Sequence, residues 1–257
     1  MNPQHIVITG AAGAIGGQLA IVFRQQHPEA TLTLVDLNAK ALEHQASTLN
    51  AQIEVCDLTD VDALPTWWQS LEDRSGTVDV LVNCAGIMDI MSISGTGWER
   101  GKRLLDINFI APMRLMDLAL PNMVRNQHGC VINISSMAGR VPIRGCGYYG
   151  GAKAGFGMAS EIARLDLKKH KVNVITVYPG PIYSGLESHA RSQVKQGPVS
   201  RFIPTGKPEE LAKRIYRTFS KGGTRVIYPD IYGLAKQVAN LDLTYRAMDF
   251  FSPEPNQ

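Results

Sequence analysis

Tyr149 and Lys153 lie four residues apart in Tyr149-Gly150-Gly151-Ala152-Lys153, near the start of a segment with helical periodicity. On a helix that spacing sets a phenol and an ammonium on one face, one turn apart. Upstream, an apolar strand-like run ends in Ile134-Ser135-Ser136 and adds hydroxyls. Such groups suit proton exchange with an oxygen while a hydride reaches or leaves the carbon beside it. A phenol with a pKa of about 10 is only about 0.1% ionised at neutral pH. Bringing that pKa to neutrality takes about 4 kcal/mol of differential stabilisation. One cation about 4 Å away, at an effective dielectric near 20, supplies about that much. Lys153 is therefore expected to lower the Tyr149 pKa into a usable range, with Ser136 holding the substrate oxygen.

A second constellation lies near the N-terminus. A short apolar run leads into Thr9-Gly10-Ala11-Ala12-Gly13-Ala14-Ile15-Gly16 and then into a helical pattern. Glycines there permit a tight turn and a close approach of backbone to a pyrophosphate, whose charge the N–H groups at the helix start would face. The next strand-like run ends at Asp36-Leu37, and Asp36 follows Gly16 by twenty residues. A carboxylate there accepts both hydroxyls of an adenosine ribose and repels a 2′-phosphate. Ala12, Gly13 and Leu37 offer no cation to hold such a phosphate. The expected cofactor is NAD rather than NADP. Asp57-Leu58, after the third run, is placed to meet the adenine edge, although Asp57 suits the N-terminal cap of the next helix equally well.

Elements of two kinds must carry these residues. Apolar, β-branched runs occur at His5–Thr9, Thr31–Val35, Gln52–Cys56, Val78–Val82, Gly129–Ile134, Val172–Val177 and Thr224–Tyr228. Most are apolar almost throughout, as strands buried on both faces are. Between them lie helical patterns at Ile15–Gln26, Ala39–Leu49, Val61–Arg74, Gly97–Asn126, Tyr148–His170 and Pro208–Lys221. Strand–helix alternation implies right-handed crossovers and a parallel sheet. The predicted fold is α/β: a single doubly wound Rossmann-type domain over residues 1–257, with a seven-stranded parallel sheet and helices on both faces. Residues 183–204 are polar and read as a substrate lid. Residues 230–257 read as a C-terminal helical extension, whose stripe Leu234, Val238, Leu241, Tyr245, Met248 suits core or subunit contact.

Composition narrows the partners. The chain has 257 residues, 19% of them charged, with a net charge of +3. That is too little positive charge to argue for nucleic acid. From Glu161 to Arg225 there are thirteen Lys or Arg against five Asp or Glu, a basic face that suits either solvent or an acidic substrate, carrier or membrane surface. Cys56, Cys84, Cys130 and Cys146 are dispersed, so neither a disulfide framework nor a metal site is expected, and reduced thiols in a cytoplasmic location are. The opening Met1-Asn2-Pro3-Gln4-His5 predicts no signal peptide, and no apolar stretch is long enough to predict an integral membrane segment.

Taken together, the motifs resemble those of the short-chain dehydrogenase/reductase family over roughly Ile6 to Ser184, with a weaker pattern to Tyr228. The family's glycine turn aligns with Thr9 to Gly16. Its N-N-A-G motif, which steadies the sheet beside the adenosine, appears as Asn83-Cys84-Ala85-Gly86. Its catalytic serine lies thirteen residues before the tyrosine, which selects Ser136 over Ser135. Its tyrosine and lysine align with Tyr149 and Lys153; Tyr148 is excluded because Ala152 stands four residues on. The resemblance also implies that Asn108 is the fourth catalytic residue, holding a water that links Lys153 to bulk solvent. Pro112 should perturb the helix there. The P-G motif aligns with Pro179-Gly180, and Ile182 and Ser184 would face the nicotinamide carboxamide. Lys153 would also bind the nicotinamide ribose. This chain departs from the family pattern at Ala14, Cys84, Gly151-Ala152 and Ser184, none of which removes a catalytic group.

The resemblance implies an NAD-dependent oxidoreductase acting on CH–OH groups, with a homotetramer or homodimer built on the helices around Asp106–Arg125 and Tyr148–Leu167. The small-molecule substrate is expected among Ile87, Met88, Ile90, Met91, Met137, Ala138, Val141 and Ile143, beneath the 183–204 segment. Those residues are mostly apolar, which points to a hydrophobic or lipid-like secondary alcohol or ketone. Arg140, Arg144, Arg191 and Arg201 suit an acidic group instead, so a 3-oxoacyl thioester is an alternative. A non-catalytic NAD-binding regulatory protein is another. The Tyr-x-x-x-Lys spacing argues against the enoyl-reductase branch of the family.

Overall fold

The structure is a computed structural model that describes residues 1–193 and 204–232. The C-terminal stripe from Leu234 to Met248, Arg201 and residues 194–203 of the expected lid lie outside the described residues.

Among the described residues, seven parallel strands form one sheet in the order β3-β2-β1-β4-β5-β6-β7. They are β1 (His5–Thr9), β2 (Thr31–Asp36), β3 (Gln52–Val55), β4 (Val80–Asn83), β5 (Gly129–Ile134), β6 (Val172–Pro179) and β7 (Arg225–Tyr228). Strand residues alternate between two cores. Ile6, Ile8, Val80, Val82, Ile132 and Ile175 face one, whereas Val7, Leu81, Val131 and Val174 face the other. Burial on both faces is what a near-continuous apolar run encodes.

The first core is covered by α1 (Ala14–Gln26), α2 (Ala39–Leu49) and α9 (Pro208–Ser220). There Phe23 of α1 meets Tyr216 and Phe219 of α9 edge to face, at centroid distances of 5.5 and 5.3 Å. Phe23 is fully buried, so its truncation to alanine would cost ~3–5 kcal/mol. The second core is covered by α3 (Leu64–Ser75), α6 (Ala111–Asn126) and α7 (Gly147–Leu167), through Leu64, Trp68, Leu115, Met123 and Phe156.

Three local differences from the sequence expectation have physical causes. The segment Gly97–Asn126 is not one helix: α5 (Trp98–Leu105) and α6 are joined by a π-helical turn, Asp106–Ile110. Pro112 brings no N–H to the ladder, and the Ala111 N–H reaches back five residues to the Asp106 carbonyl. α3 starts at Leu64 rather than Val61, because Asp60 accepts from Ala63 N and holds a turn there. The segment after Tyr183 contains a helix, α8 (Gly185–Ser192), capped by the Ser184 hydroxyl, which accepts from Glu187 N at 3.1 Å. A single turn, α4 (Ile93–Thr96), precedes α5.

Strand order reverses between β1 and β4, because β1 pairs with β2 on one side and β4 on the other. The carboxyl ends of those two strands diverge into a crevice, the place where open α/β sheets take ligands. No helix among the described residues is long and apolar enough to cross a membrane.

One buried group gives the fold a pH dependence. His5 in β1 donates from Nδ1 to the Gly76 carbonyl at 2.8 Å, which leaves Nε2 to accept from the Thr33 hydroxyl at 3.0 Å in the neutral ring. Burial lowers its pKa below the ordinary 6.5, against the opposing Gly76 hydrogen bond and the nearby Asp79 charge. The unfolded chain therefore binds the proton first. Stability should be complete above about pH 6.5 and fall as pH drops from there toward the folded-state pKa. Urea midpoints measured across that window should fall with pH in the natural chain and fall less in His5→Gln. Equal slopes in the two proteins would show that His5 is not the group responsible.

Candidate active site

At the crevice, the Thr9 hydroxyl fastens the two diverging loops to each other. It donates to the Val82 carbonyl at 3.2 Å and accepts from Cys84 N at 3.0 Å and Ala85 N at 3.2 Å. This brings Gly10 against the backbone of Ala85. A Cβ on Gly10 would lie 2.7 Å from Ala85 Cα, and the residue has φ +64°, so only glycine fits without strain. Gly16, in the first turn of α1, lies directly over the Gly10 carbonyl.

The crevice encloses about 240 Å³ and opens to solvent along one side. Its floor is Gly10, Gly13, Ile15 and Gly16; Asp36, Leu37 and Leu58 close one end; Ala85, Gly86 and Ser184 lie toward the other. The structure thus gathers these ten expected residues into one groove. It adds Ala14, Cys56, Cys84, Ile87, Ile107 and Leu186, which the motif reasoning does not assign to the cofactor. Ala14, Cys56, Cys84 and Ile87 are neighbours of assigned residues and were within reach of it. Ile107 comes in through the π-helical turn and Leu186 through α8, neither of which the sequence pattern displays.

Asp36 is held in place by backbone. Its Oδ2 accepts from Ala12 N at 3.0 Å and its Oδ1 from Asn38 N at 3.1 Å. Each carboxylate oxygen has two lone pairs, so one on each stays available for a hydroxyl. Ala12 therefore acts here through its N–H to Asp36. Asp57 lies outside the groove lining: its Oδ1 accepts from the N and Oγ1 of Thr59 at 2.9 and 2.7 Å, which lowers its pKa. Nor does it cap a helix, since the residue before α3 is Ala63. Asn83 also points away from the groove, donating to Asn133 Oδ1 at 2.9 Å across the β4–β5 pair. Pro179 ends β6, Gly180 N donates to the Tyr228 carbonyl at 2.8 Å, and Ile182 is buried beside Gly206. These three shape the path to Ser184 without lining the groove.

Beyond Gly86 lies the second constellation. Ser136, Tyr149, Lys153 and Asn108 are all buried. Ser136 ends the β5 extension, and its Oγ accepts from Ala138 N at 3.1 Å, so its own proton is free to donate. It faces the Tyr149 phenol closely enough to favour the phenolate. The Ser135 hydroxyl acts elsewhere, donating to the Lys153 carbonyl at 2.8 Å and locking α7 to β5. Lys153 Nζ donates to the Ile134 carbonyl at 2.9 Å. Asn108 Nδ2 donates to the carbonyls of Ile87 and Leu104 at 2.8 and 2.9 Å, while its buried Oδ1 has no partner among the described residues. The point where a Cβ of residue 86 would sit is 2.7 Å from that Oδ1 and 3.5 Å from Lys153 Nζ. An unpartnered acceptor and an ammonium thus converge where Gly86 keeps the space open.

The electrostatics differ from the expectation in one respect. Burial pushes the Tyr149 phenol up to about 12, opposed by the Ser136 hydrogen bond. Lys153 is not among the influences on it. Burial also brings Lys153 down to about 8. Desolvation outweighs the attraction that the helix spacing suggests, because both groups are enclosed and the ammonium is directed to Ile134. In the ligand-free protein Tyr149 is a proton donor throughout the neutral range.

The residues present fit a dinucleotide. The groove has a glycine floor that side chains would fill, a carboxylate at the far end and an orphaned acceptor near the ammonium. The family model described as short chain dehydrogenase matches residues 4–195. Dehydrogenase/reductase SDR family member 7B of Bos taurus is 28% identical over 239 residues, which is 88% of this chain and 73% of that one. A short-chain dehydrogenase from Streptomyces avermitilis has the same fold at TM-score 0.80 and 23% identity, covering 96% of this chain and 94% of the other. A short-chain dehydrogenase from Sphingobium yanoikuyae, in complex with NADPH, superposes at TM-score 0.76 and 23% identity, over 92% and 97% of the two chains.

Ultraviolet difference titration of the ligand-free protein against Tyr149→Phe isolates the Tyr149 phenol. Its phenolate should appear well above the ordinary value of 10, toward about 12. Ionisation at or below 10 would mean that the Lys153 charge outweighs burial after all.

Proposed function

The chain belongs to the short-chain dehydrogenase/reductase family, and from that premise we propose that it is an NAD(H)-dependent oxidoreductase interconverting a hydrophobic secondary alcohol and its ketone. The observation that carries this reading is that Gly86 lines the groove together with Asp36 and also lies against Asn108 Oδ1 and Lys153 Nζ, with Tyr149 one turn before Lys153 on α7. When bound, the nicotinamide cofactor supplies or accepts the hydride.

The chain's own groups do the rest. In the reducing direction Tyr149, protonated in the neutral range, gives its proton to the carbonyl oxygen, and Ser136 donates a second hydrogen bond to that oxygen. Lys153 and Asn108 face the opening left by Gly86 and are placed to return a proton to Tyr149 from solvent. In the oxidising direction the same phenol must first lose its proton, so alcohol oxidation should speed up as pH rises.

For the cofactor, the fold does not choose, since a structural neighbour holds NADPH. Asp36 supports NAD: both its oxygens are oriented by backbone N–H groups, and a phosphate there would meet an anion. Toward the substrate end, Met88, Ile90, Ile143, Cys146 and Ala190 form one apolar cluster next to Tyr149, which supports a hydrophobic substrate.

A further part of the reading is assembly. Met158, Ile162 and Leu165 follow helical spacing along α7 and are 64%, 50% and 61% exposed. An apolar stripe of this kind on a helix face suits a symmetric contact with a second copy.

Tyr149→Phe should lower turnover of an accepted ketone about a hundredfold to ten-thousandfold, while NADH still binds and still outcompetes NADPH. Intact turnover in that variant would end the catalytic reading, and tighter NADPH binding would overturn the role of Asp36. Light scattering should give the mass of a dimer or tetramer, reduced in Leu165→Asp; a monomer in the natural chain would refute the assembly.

A further inference from the structure

Asp89 lies in the loop after β4, between Met88 and Ile90 of the apolar cluster. Side chains from separate parts of the fold converge on this loop. Gln193, just past α8, donates from Nε2 to Asp89 Oδ1 at 3.1 Å and accepts from Ile90 N at 2.8 Å. His189 of α8 brings Nε2 within 3.4 Å of the same oxygen. Arg100 of α5 pairs with Asp89 Oδ2 at 3.0 Å and reaches the sulfur of Met91. Between these polar contacts Ala190 of α8 is buried against Ile90 and Cys146. Cys146 is the residue before α7 and stands three positions before Tyr149. The end of α8 is thus fastened across the apolar space beside the phenol, and Asp89 is the only group in contact with Gln193, His189 and Arg100 alike among the described residues.

We propose that Asp89 is a specificity-determining residue: its carboxylate fastens α8 across the apolar pocket and, by neutralising Arg100 at the rim, favours uncharged substrates over anionic ones. The inference rests on the ketone–alcohol reading of the same site and names its substrate class. The physical basis is two-fold. A bidentate side-chain amide and a shared carboxylate give α8 an anchor that its own few turns lack. Arg100 is already paired with Asp89, so an incoming anion meets a cation whose charge is compensated.

Two isolated changes separate the effects. Asp89→Asn keeps an acceptor for Gln193 but removes the charge, whereas Gln193→Ala opens the anchor and leaves the charge. Hexyl methyl ketone and its counterpart with a terminal carboxylate serve as probes. In Asp89→Asn the ratio of kcat/KM for the carboxylated ketone over the neutral one should rise about threefold to fivefold, the range of an exposed ion pair. In Gln193→Ala that ratio should stay near the natural value. Hydrogen exchange of the Gly185–Gln193 amides should quicken about tenfold in Gln193→Ala and in Asp89→Ala, and change little in Asp89→Asn. Unchanged exchange in Asp89→Ala overturns the anchor, and an unchanged ratio in Asp89→Asn overturns the charge selection. Exchange needs no substrate, so if the natural chain reduces neither ketone, the substrate reading fails while the anchor is still decided.

Discussion

The site depends on one close approach: the backbone of Gly10 lies against that of Ala85, tied by the Thr9 hydroxyl. Diverging strands alone would leave two loops free to separate. The three hydrogen bonds of Thr9 hold the glycine turn and the loop after β4 at a fixed gap, and that gap is the groove. From it, Gly86 is carried to Asn108 and Lys153, and Asp89 is carried on to the end of α8. A methyl group at position 10 would push Ala85 away and disturb both ends of the site together.

Much of this is legible in the sequence because it is written in backbone constraints. Strands buried on both faces must be apolar nearly throughout, so the central ones stand out, whereas the edge strands β3 and β7 carry exposed Gln52 and Arg225 and are marked by their β-branched residues instead. A glycine turn between a strand and a helix has few other uses, and a spacing of four puts Tyr149 and Lys153 on one face whatever surrounds them. The rest depends on contacts distant in sequence. The π-helical turn needs the missing Pro112 N–H and the pull of Asn108 toward Ile87 and Leu104. α8 needs Ser184 as its cap and Asp89, about a hundred residues away, as its anchor. Asp57 suits an adenine or a helix cap equally by type, and is held instead by its neighbour Thr59.

The arginines show how tertiary contacts choose between two readings. By type, Arg140 and Arg191 are as fit for an acidic substrate as the apolar residues are for a greasy one. In the folded chain the Arg140 guanidinium lies 4.6 Å from the centre of the Tyr178 ring, where a cation–π contact gains more from desolvation than a solvated ion would. Arg191 is paired with Glu187 and donates to Thr205 Oγ1 at 2.9 Å. Drawing either one to a substrate anion would first break those contacts. The apolar cluster around Ile90 and Cys146 carries no such cost for a hydrocarbon.

Burial pushes the two central groups toward neutrality from opposite sides: Tyr149 up to about 12, Lys153 down to about 8. A phenolate and an ammonium are each costly in this pocket alone, but each is the counter-charge the other lacks. The same desolvation that keeps Tyr149 a donor in the free protein therefore strengthens the attraction once water is excluded and both are charged. Ser136 favours the phenolate by hydrogen bonding, and the unpartnered Oδ1 of Asn108 offers an acceptor near the Lys153 proton. The pair is thus held as an acid at rest: Lys153 is already largely an ammonium at neutral pH, and conversion to a base requires only that the Tyr149 proton leave beside that charge.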